Sequence, residues 1–215
     1  MNLINKNYIN EYLKMLNTFP HDKEMEQIVK YAKDNDIPIL RPETASLLNI
    51  IVQAKKPETA LEIGTSIGFS GLVILRAMNE DGRLVSVDMD ETSLEIAREN
   101  FRLQGFAERI TLINNDAGEV LHNLTDSFDL IFIDGPKAQY INYLSYCIKL
   151  LNKGGILICD DVLFYGMVAD NKLVNRRKIT IVKRLRKFLK IISSHPQLDT
   201  SIIPIGDGLS ISIRK

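Results

Sequence analysis

What this chain lacks narrows it first. It has only two cysteines, Cys147 and Cys159, and no Cys-x-x-Cys pair. Nothing in that spacing builds a disulfide framework, so a reduced, cytoplasmic setting is expected. No apolar run reaches the roughly 18 residues that a membrane span requires. The opening stretch "MNLINKNYINEYLKML" scatters charge and polar groups among its apolar residues. It reads as neither a signal peptide nor a membrane anchor. Lys and Arg total 27, Asp and Glu total 27, so whole-chain charge points to no partner. There is no internal repeat and no low-complexity segment. What remains is a 215-residue chain, 45% hydrophobic and 25% charged, which is enough for one domain with a real core.

The chain divides by pattern at Pro57. Before it, residues 6–17, 22–35 and 42–55 read as amphipathic helices. Pro20 breaks the first of these and Asp22 can cap the second. This leading part, 1–56, is expected to act as a helical cap or lid. Residues 57–215 are expected to form the core. There, five apolar strands alternate with helices: "TALEIG", "GRLVSVDMD", "RITLIN", "FDLIFIDG" and "GGILICDD". Such alternation predicts parallel βαβ units in an open α/β sheet, Rossmann-like and doubly wound. A helix at about 172–193 follows. The last two strands, joined around Gly206-Asp207-Gly208, read as a hairpin. The expected sheet is therefore mostly parallel, with an antiparallel last strand.

The loop "LEIGTSIGFSG" follows the first strand and opens a helix. It lacks the Gly-x-Gly-x-x-Gly pattern that lets backbone approach a pyrophosphate, which counts against a nicotinamide dinucleotide. It also carries an acid, Glu62, at the strand end. A carboxylate there suits the sulfonium and ammonium of S-adenosylmethionine (SAM) better than a phosphate. Asp88, closing the second strand, can accept hydrogen bonds from ribose hydroxyls. Asp116 and the Ala117 backbone, after the third, can lie near an adenine. The bland alternative is a glycine turn with no ligand.

Asp134 ends the fourth strand, and Asp160 and Asp161 end the fifth. Neighbouring strands would bring the three acids together, and they would repel unless protonated or bridged by a cation. An all-oxygen set selects a hard ion such as Mg²⁺. Lys137 would face the same cleft, where a neighbouring divalent cation would push it toward its neutral form and let it act as a general base. Taken singly, these acids could merely end strands or cap turns. Cys159, pointing the other way, reads as core.

Another absence lies in residues 171–193, where nine Lys or Arg occur with no Asp or Glu. Ile181, Val182, Leu185, Phe188, Leu189 and Ile192 make an apolar stripe. Arg176, Arg177, Lys183, Arg184, Lys187 and Lys190 would then gather opposite, an electrostatic footprint suited to RNA phosphates. A plain solvated helix face is the competing reading.

The segments "LEIGTSIGFS", "SVDMD", "FIDGPKAQY" and "CDDVLFYG", in this order, together resemble the metal-dependent O-methyltransferases of the catechol and caffeoyl-CoA type. The tail "SSHPQLDTSIIPIGDGLSISIRK" is similar to a bacterial branch of that family, the tRNA 5-hydroxyuridine methyltransferases. The resemblance implies a class I methyltransferase fold of seven strands. It implies SAM contacts from Ile39, Glu62, Gly64, Ser70, Asp88, Ala117 and Asp134. It also implies a metal held by Asp134, Asp160 and Asp161, with Lys137 catalytic, and a homodimer. The expected reaction is Mg²⁺-dependent methylation of the wobble 5-hydroxyuridine of tRNA. Methylation of small catechol-like phenols or caffeoyl-CoA esters is the alternative, and a non-catalytic SAM- and RNA-binding protein is a second.

Overall fold

A computed structural model describes residues 7–16 and 22–215. Its elements, in chain order, are α1 (Asn7–Leu16), α2 (Lys23–Asp34), α3 (Pro42–Lys55), β1 (Thr59–Ile63), α4 (Phe69–Ala77), β2 (Arg83–Asp88), α5 (Glu91–Leu103), β3 (Ile110–Asn114), α6 (Ala117–Asn123), β4 (Phe128–Ile133), α7 (Tyr140–Leu150), β5 (Leu151–Cys159), α8 (Ile179–Ser193), β6 (Leu198–Ile203) and β7 (Leu209–Arg214). The strands form one seven-stranded sheet in the order β3-β2-β1-β4-β5-β7-β6. β7 runs antiparallel to both β5 and β6, as the closing hairpin predicts. The described residues divide into two compact units, one of 11–16 and 22–117 and the other of 118–215 with 7–10.

In the first unit β1, β2 and β3 are parallel. α4 is apolar nearly all round, and every residue from Phe69 to Leu75 is buried. Burying each large side chain of such a helix contributes about 1.5–3 kcal/mol. Asp22 caps α2 by accepting from the Met25 amide at 3.0 Å, as expected, and its carboxylate also pairs with Arg76 of α4. The expected break at Pro20 lies outside the described residues.

In the second unit β4 and β5 are parallel, with Ile133 opposite Cys159. Cys159 is fully buried, as core packing requires. The helix expected over 172–193 is shorter than its pattern suggests. α8 starts only at Ile179, and Asn171–Leu173 and Arg176–Lys178 form separate 3-10 turns. Asp170 and Asn175 explain this, because each side chain accepts from an amide, Lys172 at 2.8 Å and Lys178 at 3.1 Å. Such local bonds compete with helix formation. No helix among the described residues is long and apolar enough to cross a membrane.

Candidate active site

The glycine loop of the first unit needs left-handed backbone. Gly64 (φ 100°) and Gly68 (φ 85°, just before α4) supply it, where a Cβ would be strained. The Gly64 amide donates to Val87 of β2 at 2.9 Å. Behind the loop, Glu62 is fully buried and accepts from the hydroxyls of Ser70 and Ser86, each at 2.5 Å. Gly71 makes room for it, since a Cβ there would lie 2.9 Å from Glu62 Oε2 and 2.8 Å from the Phe101 ring. The Ser70 and Ser86 bonds to Glu62 buttress the loop from behind.

Asp88 is half-buried. Its Oδ2 accepts from the Ser66 amide at 2.8 Å and its Oδ1 from the Asp90 amide at 3.1 Å. A carboxylate has about four acceptor sites, so capacity remains for ribose hydroxyls. Asp116, half-buried, precedes the buried Ala117 at the start of α6. Ile39 is half-buried in the link between α2 and α3. Ser86 was not anticipated, although it is the one polar residue within the run "LVSV".

In the second unit, parallel register sets Asp134 beside Asp160. The Asp160 amide donates to Ile133 at 2.9 Å, and the buried Tyr140 hydroxyl donates to the Asp160 carbonyl at 3.0 Å. Asp160 is 6% exposed, and its Oδ1 accepts from the Asp161 amide at 2.7 Å. Burial, reinforced by Asp134 and Asp161, pushes its carboxyl well above the ordinary carboxylate range. Burial also raises Asp134, with Lys137 pulling the other way. Lys137 Nζ lies 2.6 Å from Asp134 Oδ1 and 3.2 Å from Asp161 Oδ2. Burial alone would lower the lysine, but the two carboxylates outweigh it and hold its pKa above the usual value. Lys137 is here an ammonium bridging two acids.

Among the described residues no group of three or more acidic, histidine or cysteine side chains stands ready to hold a metal. The donors are nevertheless of the right kind. All are carboxylate oxygens, and the buried Asp160 is destabilised by two like neighbours, which a hard cation would relieve.

Past Asp160 the backbone turns sharply. Asp161, Phe164 and Tyr165 all have positive φ, 56°, 46° and 55°. For residues other than glycine, each costs about 1–2 kcal/mol. The turn between β6 and β7 holds this loop in place. Gly208 and Asp207 carbonyls accept from Val162 and Leu163 at 2.9 and 3.0 Å, and the Asp207 side chain accepts from Tyr165. Lys178 sits over the Phe164 ring, 5.5 Å from its centroid.

The basic segment divides its labour. Val182, Leu185, Phe188 and Ile192 are buried and Ile181 and Leu189 half-buried, as the stripe predicts. Arg184 is half-buried and donates to the Ala138 carbonyl at 3.0 Å, in the turn that carries Lys137. Arg186 donates to Met167 and Val168 carbonyls and to Asn171. Arg176, Arg177, Lys183, Lys187 and Lys190 are exposed. Arg184 thus differs from the outward-facing set in which the sequence places it.

A sheet of this order, with a glycine turn after β1 and acids beyond β2, β4 and β5, defines a class I methyltransferase fold. The model of the O-methyltransferase family matches residues 14–215, so the chain belongs to that family. It is a SAM-dependent O-methyltransferase. That retires the nicotinamide and non-catalytic alternatives. Caffeoyl-CoA O-methyltransferase from Stellaria longipes is 26% identical, with 99% of this chain and 92% of that protein aligned. The O-methyltransferase from Bacillus cereus, solved with S-adenosylhomocysteine, is 25% identical with a TM-score of 0.83, covering 97% of each chain. A Staphylococcus aureus protein assigned provisionally as a caffeoyl-CoA O-methyltransferase is 28% identical, with a TM-score of 0.88 over 97% of this chain and 100% of that one.

Proposed function

We propose that this enzyme methylates the 5-hydroxyl of 5-hydroxyuridine at the wobble position of tRNA, with Mg²⁺ as an obligatory partner. The observation that carries the reading is the exposed row Lys183, Lys187 and Lys190 on α8, preceded by Arg176 and Arg177, in a segment without one acid. Cations spaced along one face match a phosphate backbone. Loop glycines Gly64 and Gly68 let the backbone close on SAM, and Asp88 receives its ribose. Asp134, Asp160 and Asp161 would hold the cation, which when bound supplies Lewis-acid acidification of a hydroxyl. Lys137, released from its two carboxylates, would then be the group beside the substrate that accepts the hydroxyl proton. The transfer needs no covalent enzyme intermediate, so positioning and electrostatics provide the acceleration.

Methylation of a catechol-like phenol or caffeoyl-CoA ester is the second reading, favoured by the named activity of the Stellaria relative. A 5-hydroxyuracil and a catechol each offer two adjacent oxygens, so the same acids suit both. The deciding experiment is mass spectrometry of wobble nucleosides from cells lacking the protein. Accumulated 5-hydroxyuridine with 5-methoxyuridine missing is expected; an unchanged nucleoside profile would sink the tRNA assignment. Charge reversal at Lys183, Lys187 and Lys190 sharpens it in vitro. Transfer to an anticodon stem–loop should fall by about a hundredfold or more at physiological salt, with SAM affinity kept. Arg184 is left intact in that variant because of its bond to Ala138.

A further inference from the structure

Tyr140, the first residue of α7, is fully buried, yet it ends in a hydroxyl. A buried phenol needs a partner, and the partners here are main-chain. Its single proton faces two carbonyl oxygens, Asp160 at 3.0 Å and Ile133 at 3.3 Å. Both stand at the ends of neighbouring strands, since Ile133 closes β4 and Asp160 directly follows β5. Ile133 already accepts the Asp160 amide at 2.9 Å. The Asp160 carbonyl lies where the chain leaves the sheet, for Asp161 turns to a φ of 56°. The peptide joining the two acids is therefore held at both ends. Tyr140 donates to its oxygen, and its N–H donates to Asp160 Oδ1 at 2.7 Å. The ring that carries the hydroxyl is seated in turn. Phe188 of α8, also fully buried, meets it edge-on with centroids 5.7 Å apart. Lys137 Nζ lies 5.9 Å from the centre of the same ring.

We infer that Tyr140 is a positioning residue for the metal: by holding the Asp160–Asp161 peptide it sets the angle between two carboxylates that would share the ion. This rests on the reading above that Asp134, Asp160 and Asp161 hold Mg²⁺, and adds what aims them. Tyr140 acts through the main chain. Rotating that one peptide would swing Asp161, whose positive φ is strained for a residue with a side chain, relative to Asp160. Mg²⁺ demands near-ideal octahedral geometry, so a small rotation there costs affinity. Groups that orient metal ligands from behind govern affinity in this way. Phenylalanine would fill the same space and keep the contact with Phe188, so packing alone does not explain the hydroxyl.

The test is calorimetry of Mg²⁺ binding to full-length protein freed of metal, with S-adenosylhomocysteine bound. Tyr140→Phe should weaken Mg²⁺ by about tenfold or more, with affinity for S-adenosylhomocysteine in chelator unchanged. Methyl transfer to whichever acceptor the parent uses, the 5-hydroxyuridine stem–loop or free catechol, should need more Mg²⁺ to reach half its maximum. Excess Mg²⁺ should restore most of the rate, by mass action. Thr200→Val removes a comparable hydroxyl-to-carbonyl bond, to Ile192 at 3.0 Å, on β6 and two strands from β5. It should lower thermal stability yet leave Mg²⁺ affinity at the parent value, which separates aiming from folding. Phe188→Leu loosens the seat of the ring but keeps the hydroxyl. It should weaken Mg²⁺ by a smaller factor, and it carries the test if Tyr140→Phe does not fold. Mg²⁺ affinity unchanged in the Tyr140→Phe protein, or lowered as much by Thr200→Val, would overturn the inference and leave the proposed function standing. If only Phe188→Leu folds, parent-like Mg²⁺ affinity in it does the same. A parent that binds no Mg²⁺ and transfers methyl in chelator sinks the metal reading, and this inference with it.

Discussion

Glu62 at the end of β1 and Asp160 just past β5 are both buried acids, 0% and 6% exposed, yet they are satisfied in opposite ways. Glu62 receives two neutral hydroxyls, from Ser70 and Ser86, and glycine at 71 leaves it room. Its region is complete as built. Asp160 receives one amide, stands beside two like charges, and is pushed well above the ordinary carboxylate range. The nearby cation Lys137 is bonded to its neighbours Asp134 and Asp161. A buried carboxylate with its own donors is structural; one held against like charge awaits something positive.

The largest expected effect breaks the second arrangement. Asp160→Ala should lower methyl transfer by at least about a hundredfold, in the range lost when one preorganised electrostatic group is removed. Calorimetry should show SAM binding retained and thermal unfolding little changed or raised, because a buried like-charge repulsion disappears. Unimpaired transfer would contradict the proposed role.

Breaking the first arrangement should give the reverse signature. Glu62→Ala leaves two buried hydroxyls without their acceptor, at about 1–3 kcal/mol each. Chemical denaturation should report a loss of several kcal/mol before any question of kinetics. A variant that unfolds like the parent but binds SAM poorly would assign Glu62 to the cofactor site rather than to the fold.

The smallest effect sharpens the contrast at the surface. Burial works against the Asp22 carboxylate, but the Arg76 guanidinium and the Met25 amide hold it below its ordinary value. That stabilisation is present above the unfolded carboxylate pKa of about 4 and fades as pH falls through the lower folded value. Asp22→Ala should cost about 1 kcal/mol at neutral pH. The difference between variant and parent should shrink in acid. A difference independent of pH would assign the loss to something other than the charge.

Much of this was legible in the sequence, for physical reasons. The strands are continuous apolar runs, so their acids at 62, 88, 134 and 160 mark strand ends without ambiguity, and Asp22 announces its cap. What pattern could not show is where each acid's hydrogen bonds go. Ser86 is eighty-six residues into the chain with no motif of its own, yet parallel register sets it opposite Glu62. Arg184 and Arg186 look equally basic in one dimension, but both donate to backbone carbonyls of the packed fold. The helix start at Ile179 was hidden because side-chain caps at Asp170 and Asn175 override a basic, helix-compatible stretch. Asp207 sits in a turn that the sequence marks only as Gly-Asp-Gly, and its partner Tyr165 lies 42 residues away.

The most direct test of the account is methyl transfer from SAM to an anticodon stem–loop carrying wobble 5-hydroxyuridine, using protein stripped of metal, with and without added Mg²⁺. The account predicts negligible transfer in chelator and full transfer once Mg²⁺ is restored. Undiminished transfer in chelator, or methylation of a free catechol with none of the RNA, would contradict it.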